Sequence, residues 1–129
     1  MSKLFAYRSY RDVDAAIEWL KALGFAVTTS QEGEAGTVVH AELRLGNAVE
    51  MVAPADERYE LPKLIGRSTG QGLYLLAEDV SALHAAAVDA GGRSVFAPEA
   101  TEWGAQRARV LDPEGYEWSF GTYVPGGSW

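Results

Sequence analysis

A chain of 129 residues, 47% of them apolar, is the size of one domain and can bury roughly two-thirds of its unfolded surface, enough for a core without staples. The absence of cysteine excludes a disulfide framework, a thiolate nucleophile and a Cys-type zinc site. A formal net charge of −7, with no Lys/Arg cluster to offset it, argues against nucleic acid as a partner, and no apolar run approaches the ~20 residues of a membrane helix.

The opening segment, Met1 to Tyr7, lacks the long apolar stretch of a signal peptide, which predicts a cytoplasmic protein. Phe5 to Tyr10 reads as a strand. Asp12 is placed to cap a helix, because its carboxylate can accept from the free N–H groups of the first turn. Ala15, Ala16, Trp19, Leu20 and Leu23 recur at helical spacing, and Gly24 stands where a left-handed C-cap is wanted. Phe25 to Thr29 is β-prone, and Gly33 to Gly36 reads as a turn. Thr37 to Leu45 and Ala48 to Ala53 predict a hairpin around Gly46-Asn47. Residues 55–69, polar and irregular, read as a linker.

Leu73 to Ala77 restarts the pattern as a strand, and Asp79 caps a second helix to Ala90, closed by Gly91-Gly92. Arg93 to Phe96 reads as a strand and Pro98 to Gly104 as a loop. Arg107 to Leu111 and Tyr116 to Tyr123 predict a second hairpin around the turn sequence Asp112-Pro113-Glu114-Gly115. Residues 125–129 form a tail.

The two halves repeat. The helical frames superimpose at a constant offset of 67, from Asp12 to Asp79, while the glycines of the hairpin turns, Gly46 and Gly115, lie 69 apart. A repeat this long is no solenoid unit, yet it is too short for an independent domain. The prediction is a single domain, 1–129, built from a β-α-β-β-β module at 1–54 and a second at 70–124, enclosing a cleft.

These residues resemble the vicinal oxygen chelate superfamily, which holds glyoxalases, extradiol dioxygenases and bleomycin-resistance proteins. The resemblance is carried by Asp12-Val13-Asp14-Ala15-Ala16-Ile17, Leu23-Gly24-Phe25 and His40 to Gly46, then by Glu78-Asp79-Val80, Gly91-Gly92 and above all Asp112 to Gly121. It spans essentially the whole chain. It implies an α+β fold of two βαβββ modules, the glyoxalase/bleomycin resistance/dioxygenase fold, with curved mixed sheets forming a cleft. It also implies a homodimer, since members with this module count commonly pair, and short sheet edges invite pairing. The fold does not choose among chemistries.

Metal-using members place ligands on the first and last strand of each module. Those positions fall here on Phe5, Glu50, Gly72 and Ser119, of which only Glu50 is a competent ligand. Zinc, nickel or iron would want three or four converging His or carboxylate ligands. The two histidines do not supply them: His84 lies within the second helix, and pairing of position 43 with Glu50 puts His40 on the opposite face from Glu50. No metal and no cofactor is therefore expected.

With Phe5, Glu50, Gly72 and Ser119 taken as the inward face, period-2 alternation adds Tyr7, Ser9, Ala48, Val52, Tyr74, Glu117 and Gly121. Trp118 and Phe120 then face the helices. Trp103, in the loop Glu102-Trp103-Gly104, needs either a packing partner or a ligand to stack on. The expected pocket is aromatic, with one or two carboxylates and few cations, suited to a planar or cationic molecule. The expected ligand-binding set is Phe5, Tyr7, Glu50, Tyr74, Trp103 and Ser119, and no catalytic residue is assigned.

Three functions stay open: a metal-free, non-catalytic binding protein of the bleomycin-resistance kind for an aromatic or cationic compound, possible antibiotics included; a metal-dependent lyase, isomerase or dioxygenase; and an interaction module with a vestigial cleft.

Overall fold

In a computed structural model of the chain, residues 3–55 and 71–127 are described. They form two compact units, divided between Thr69 and Gly70. The expected linker lies, apart from Ala55, outside the described residues.

The first unit runs β1 (Ala6–Tyr10), α1 (Val13–Ala22), β2 (Ala26–Glu32), β3 (Val38–Leu45) and β4 (Ala48–Pro54), with a short 3-10 turn between β2 and β3. The second runs β5 (Gly72–Leu76), α2 (Val80–Asp89), β6 (Arg93–Ala100), β7 (Gln106–Leu111) and β8 (Glu117–Gly121). Each unit has one four-stranded mixed sheet, ordered β1-β4-β3-β2 and β5-β8-β7-β6. In each, the first strand lies parallel to the last, and the remaining pairings are antiparallel. The βαβββ order is thus present twice. The predicted elements are in place, with one difference of substance: β6 continues through Pro98 to Ala100, where a loop was expected. Its two register shifts against β7 let an edge strand carry that proline.

Both helices start as their sequences dictate. Asp12 and Asp79 sit at the N-caps, and each accepts from the backbone N–H three residues on, Ala15 and Ala82, at 3.0 Å. Both end at a glycine with φ near +108°, Gly24 and Gly91, a conformation that a Cβ would strain. The buried stripe of α1 is Val13, Ala16, Ile17 and Leu20 with Trp19. Ala15, expected in that stripe, is exposed, because the i, i+3, i+4, i+7 ladder starts from Val13.

The helix of each unit covers one face of its sheet. On that face the second unit buries Leu75, Ala108, Val110, Trp118 and Phe120 against Val80 and Ala87 of α2. The first unit buries Tyr10, Ala41, Leu43, Val52 and Glu50 beside α1. Alternate residues of each strand line the other, open face. No helix among the described residues is long and apolar enough to cross a membrane.

Candidate functional site

The register decides which residues meet on the open faces. In the second sheet Tyr74 pairs with Ser119, Ser119 with Arg109, and Arg109 with Phe96. One row further, Leu76 pairs with Gly121, Gly121 with Arg107, and Arg107 with Glu99. Both rows lie opposite Trp118, Phe120, Ala108 and Val110, so they share the face away from α2. Tyr74, Ser119 and Gly121 therefore share a face, as their alternation predicts, and Trp118 and Phe120 pack under the helix.

Two arginines organise this face. Arg109 Nε donates to Ser119 Oγ at 3.0 Å, and its guanidinium lies 5.3 Å from the centre of the Phe96 ring. Arg107 lies 5.4 Å from the same ring and 5.9 Å from that of Trp103, distances at which a cation is attracted to a π-face. Arg107 Nε also donates to Glu99 Oε1 at 2.8 Å. Trp103 stands on the turn before β7, 61% exposed, and joins the face through Arg107. The turn is braced at its base, where the Thr101 hydroxyl accepts from the Ala105 N–H at 3.0 Å.

Tyr74 closes the other side. Its hydroxyl donates to the Tyr123 carbonyl at 2.7 Å, and burial pushes its pKa above the ordinary 10.0. The ring lies across Gly121, where a Cβ would collide with the Tyr74 ring and hydroxyl. Gly121 is thus a close-approach glycine, required by its neighbour.

The expectation of few cations is overturned by Arg107 and Arg109. Their signal was present in the sequence: they alternate with Ala108 and Val110, both buried, so a strand there must turn both arginines to one face.

The first unit corrects the expected site more deeply. Glu50 does not share a face with Tyr7. In the parallel pairing of β1 with β4, Glu50 is the partner of Ala6, and Tyr7 that of Met51. Glu50 is 1% exposed and faces the α1 side with Leu43, while Tyr7 is 59% exposed on the opposite side. Glu50 Oε1 lies 3.9 Å from Arg8 Nε, an ion pair inside the core.

The physical reason is turn length. Leu45 pairs directly with Ala48 across the two residues Gly46-Asn47, whereas Leu111 pairs with Glu117 across five residues, 112–116. Gly46 and Gly115 both have positive φ, but they occupy different places in turns of different length. Structural equivalence therefore runs from Glu50 to Trp118 and from Met51 to Ser119, an offset of 68. A slip of one residue turns a side chain to the other face.

On the open face of the first unit stand Tyr7, Ser9, His40, Glu42 and Met51. His40 is opposite Glu50, as the pairing of position 43 implied, and its Nε2 meets Glu42 Oε2 at 3.0 Å. Phe5, half exposed, precedes β1. His84 lies on α2 and bonds Ser94 of β6 at 2.8 Å.

These residues do not fit the metal of the metal-using relatives. Met51, not Glu50, holds the last-strand position of the first unit, and Ser119 holds it in the second. A guanidinium 3.0 Å from Ser119 Oγ would repel a divalent cation placed there. Among the described residues, no three His, Asp or Glu side chains gather as a metal site would require.

The topology and the residue pattern define a class that sequence comparison then fixes. The sequence model of the Glyoxalase/Bleomycin resistance protein/Dioxygenase superfamily matches residues 7–120. The chain belongs to this superfamily. Among solved structures it is similar to TioX from Micromonospora sp. ML1, with 27% identity over 98% of this chain and 100% of that one, at a TM-score of 0.73. A glyoxalase/bleomycin resistance protein/dioxygenase family enzyme from Burkholderia phytofirmans PsJN shares 18% identity over 91% and 94% of the two chains, at a TM-score of 0.69. A glyoxalase-related enzyme from Fulvimarina pelagi shares 17% over 94% and 88%, at 0.72. The last two likenesses concern the fold alone. No curated protein sequence matches the chain.

Proposed function

We propose that this protein binds a small planar aromatic molecule without a metal and without catalysing its conversion. The observation that carries the reading is the gathering of Tyr74, Phe96 and Trp103 with two guanidinium groups on one open sheet face. Rings and guanidinium planes offer flat surfaces on which a conjugated ligand stacks, each such contact contributing about 0.5–1.5 kcal/mol beyond area burial. The bleomycin-resistance kind of function, sequestration of such a compound, fits this face better than metal chemistry does. A cationic ligand loses its support, because Glu50 faces the core. Homodimerisation belongs to the same proposal, supported by β2, an edge strand exposed along all seven residues. So does cytoplasmic residence, which the cysteine-free composition accommodates.

The test is a thermal-shift panel of planar aromatic compounds, followed by calorimetry. A compound bound only by the native state raises the melting temperature with concentration. Trp103→Ala should weaken each hit by about tenfold, at 1.4 kcal/mol per decade. Hits that bind Trp103→Ala as tightly as the parent would remove the stacking site. Stoichiometric nickel, zinc, iron or manganese retained through purification would favour a metalloenzyme instead.

A further inference from the structure

We infer that the ligand of the second unit's open face is an aromatic acid, whose anionic oxygen is received by Arg109 and Ser119. The inference deepens the aromatic-ligand reading and rests on it. It starts from the different states of the two arginines on that face. Arg107 is neutralised, because its Nε holds the Glu99 carboxylate at 2.8 Å. Arg109 has a neutral hydroxyl and a ring as neighbours, Ser119 Oγ at 3.0 Å and Phe96 at 5.3 Å. Arg109 is half-buried and permanently charged, and a guanidinium withdrawn from water without a counter-charge carries a desolvation cost that an anion would offset.

The chemistry of the pair narrows the ligand further. Arginine has five N–H donors and no acceptor. Because Arg109 Nε already donates to Ser119 Oγ, the serine hydroxyl proton is left to donate elsewhere. The pair thus presents the remaining guanidinium N–H groups and the serine proton as donors, which suits a carboxylate or similar oxyanion, and a guanidinium binds a carboxylate with two parallel bonds. The remaining carboxylates of the face stand elsewhere. Glu99 is on Arg107, and Glu117 is the cross-strand partner of Gly72 and Leu111, one row from Ser119.

The rings are continuous with this oxyanion site. Arg109 and Arg107 lie at 5.3 and 5.4 Å from the same Phe96 ring, and Arg107 leads on to Trp103 at 5.9 Å. A flat ligand anchored by its acid group at Arg109 has Phe96 and Trp103 on hand for its ring system. The chain as a whole is acidic, at −7, so the preference for an acid arises from local contacts and not from long-range attraction.

The experiment compares 2-naphthoate with 2-naphthamide, equal in ring and nearly equal in shape, by calorimetry on the full chain. The proteins are the parent, Arg109→Gln, Arg109→Lys, Ser119→Ala and Trp103→Ala, each first checked for a parent-like circular dichroism spectrum. The parent should bind the acid at least tenfold more tightly than the amide. Arg109→Gln should abolish that preference while leaving amide affinity within about twofold, Arg109→Lys should keep part of it, and Ser119→Ala should reduce it. The preference should also shrink as salt is added. Equal binding of acid and amide by the parent, or a preference that survives in Arg109→Gln, overturns the inference and leaves the aromatic reading standing. Binding of neither compound, with no hit among other planar aromatics, overturns both. Loss of self-association in Arg109→Gln, in a parent that ignores naphthoate, would mean that the oxyanion is a carboxylate of a second copy, and would also overturn it.

Discussion

Glu50 should behave as a core residue and not as a ligand contact, and a mutant cycle with Arg8 tests this. Glu50 Oε1 and Arg8 Nε lie 3.9 Å apart, with side chains 2% and 11% exposed. At that distance and an effective dielectric of about 20, the gross attraction is about 4 kcal/mol. Part of this is returned when the carboxylate no longer has to be desolvated, so Glu50→Leu should cost about 2–3 kcal/mol. In a domain of this size that lowers the melting temperature by roughly 10 °C. The second unit shows what an apolar solution looks like, because Leu75 and Trp118 occupy the equivalent places in its sheet. Arg8→Leu combined with Glu50→Leu should therefore recover to within about 1 kcal/mol of the parent, well short of the sum of the two single losses. The assay is urea or thermal unfolding of the four proteins, with ligand binding measured in parallel. If Glu50→Leu melted with the parent yet lost ligand, Glu50 would belong to the binding site and the register argument would be wrong.

Asp112 Oδ1 accepts from the N–H groups of Glu114 and Tyr116, both at 3.0 Å, and so sets the five-residue turn between β7 and β8; Asp112→Ala should cost about 1–3 kcal/mol in a urea melt, while Asp112→Asn should cost less. Gly121→Ala should drive the Tyr74 ring from its place, seen as loss of the Tyr74 contacts in an NMR spectrum and as weaker ligand binding with the fold retained. The Tyr74 phenol, raised above 10.0 by burial, holds its proton more tightly in the folded state. Its contribution to stability is thus present below pH 10 and lost as pH rises through the raised value, and the difference between the ultraviolet titrations of the parent and Tyr74→Phe should be one phenol with its midpoint above 10.0.

Much of the fold was legible because its signals are local. Asp12 and Asp79 announce helix starts, Gly24 and Gly91 announce their ends, and the Gly46-Asn47 turn fixes the pairing of Leu43 with Glu50. The open face of the second unit was half legible. Ser119 followed from the positions that the family resemblance implies and Tyr74 from alternation, but Arg109 and Phe96 come to Ser119 only through pairing with β7 and β6, and the register shifts in β6 have no local signature. The placement of Glu50 was not legible from the repeat, because the two hairpins differ in turn length while looking alike in their glycines. A face assignment that rests on matching one turn to another inherits any difference in loop length and inverts when that difference is odd.

The same alternation explains how two copies of one topology can carry different chemistry. Residues 108, 110, 118 and 120 of the second unit are Ala, Val, Trp and Phe, all buried under α2. The interleaved residues 107, 109, 117 and 119 are Arg, Arg, Glu and Ser, on the face that the core does not use. Substitution on the open face leaves the packing of the helix side intact, so its chemistry can change at small cost in stability. In the first unit that freedom yields Tyr7, Met51 and the His40–Glu42 pair, in the second the Arg109–Ser119 pair with Phe96 and Trp103. Glu50 departs from the division of labour, being a charged residue on the core side, and this is why it tempts a functional reading. Its depth, its arginine partner and its apolar counterpart Trp118 place it with the helix-side packing. The residues that remain candidates for function are those whose removal the fold would scarcely notice.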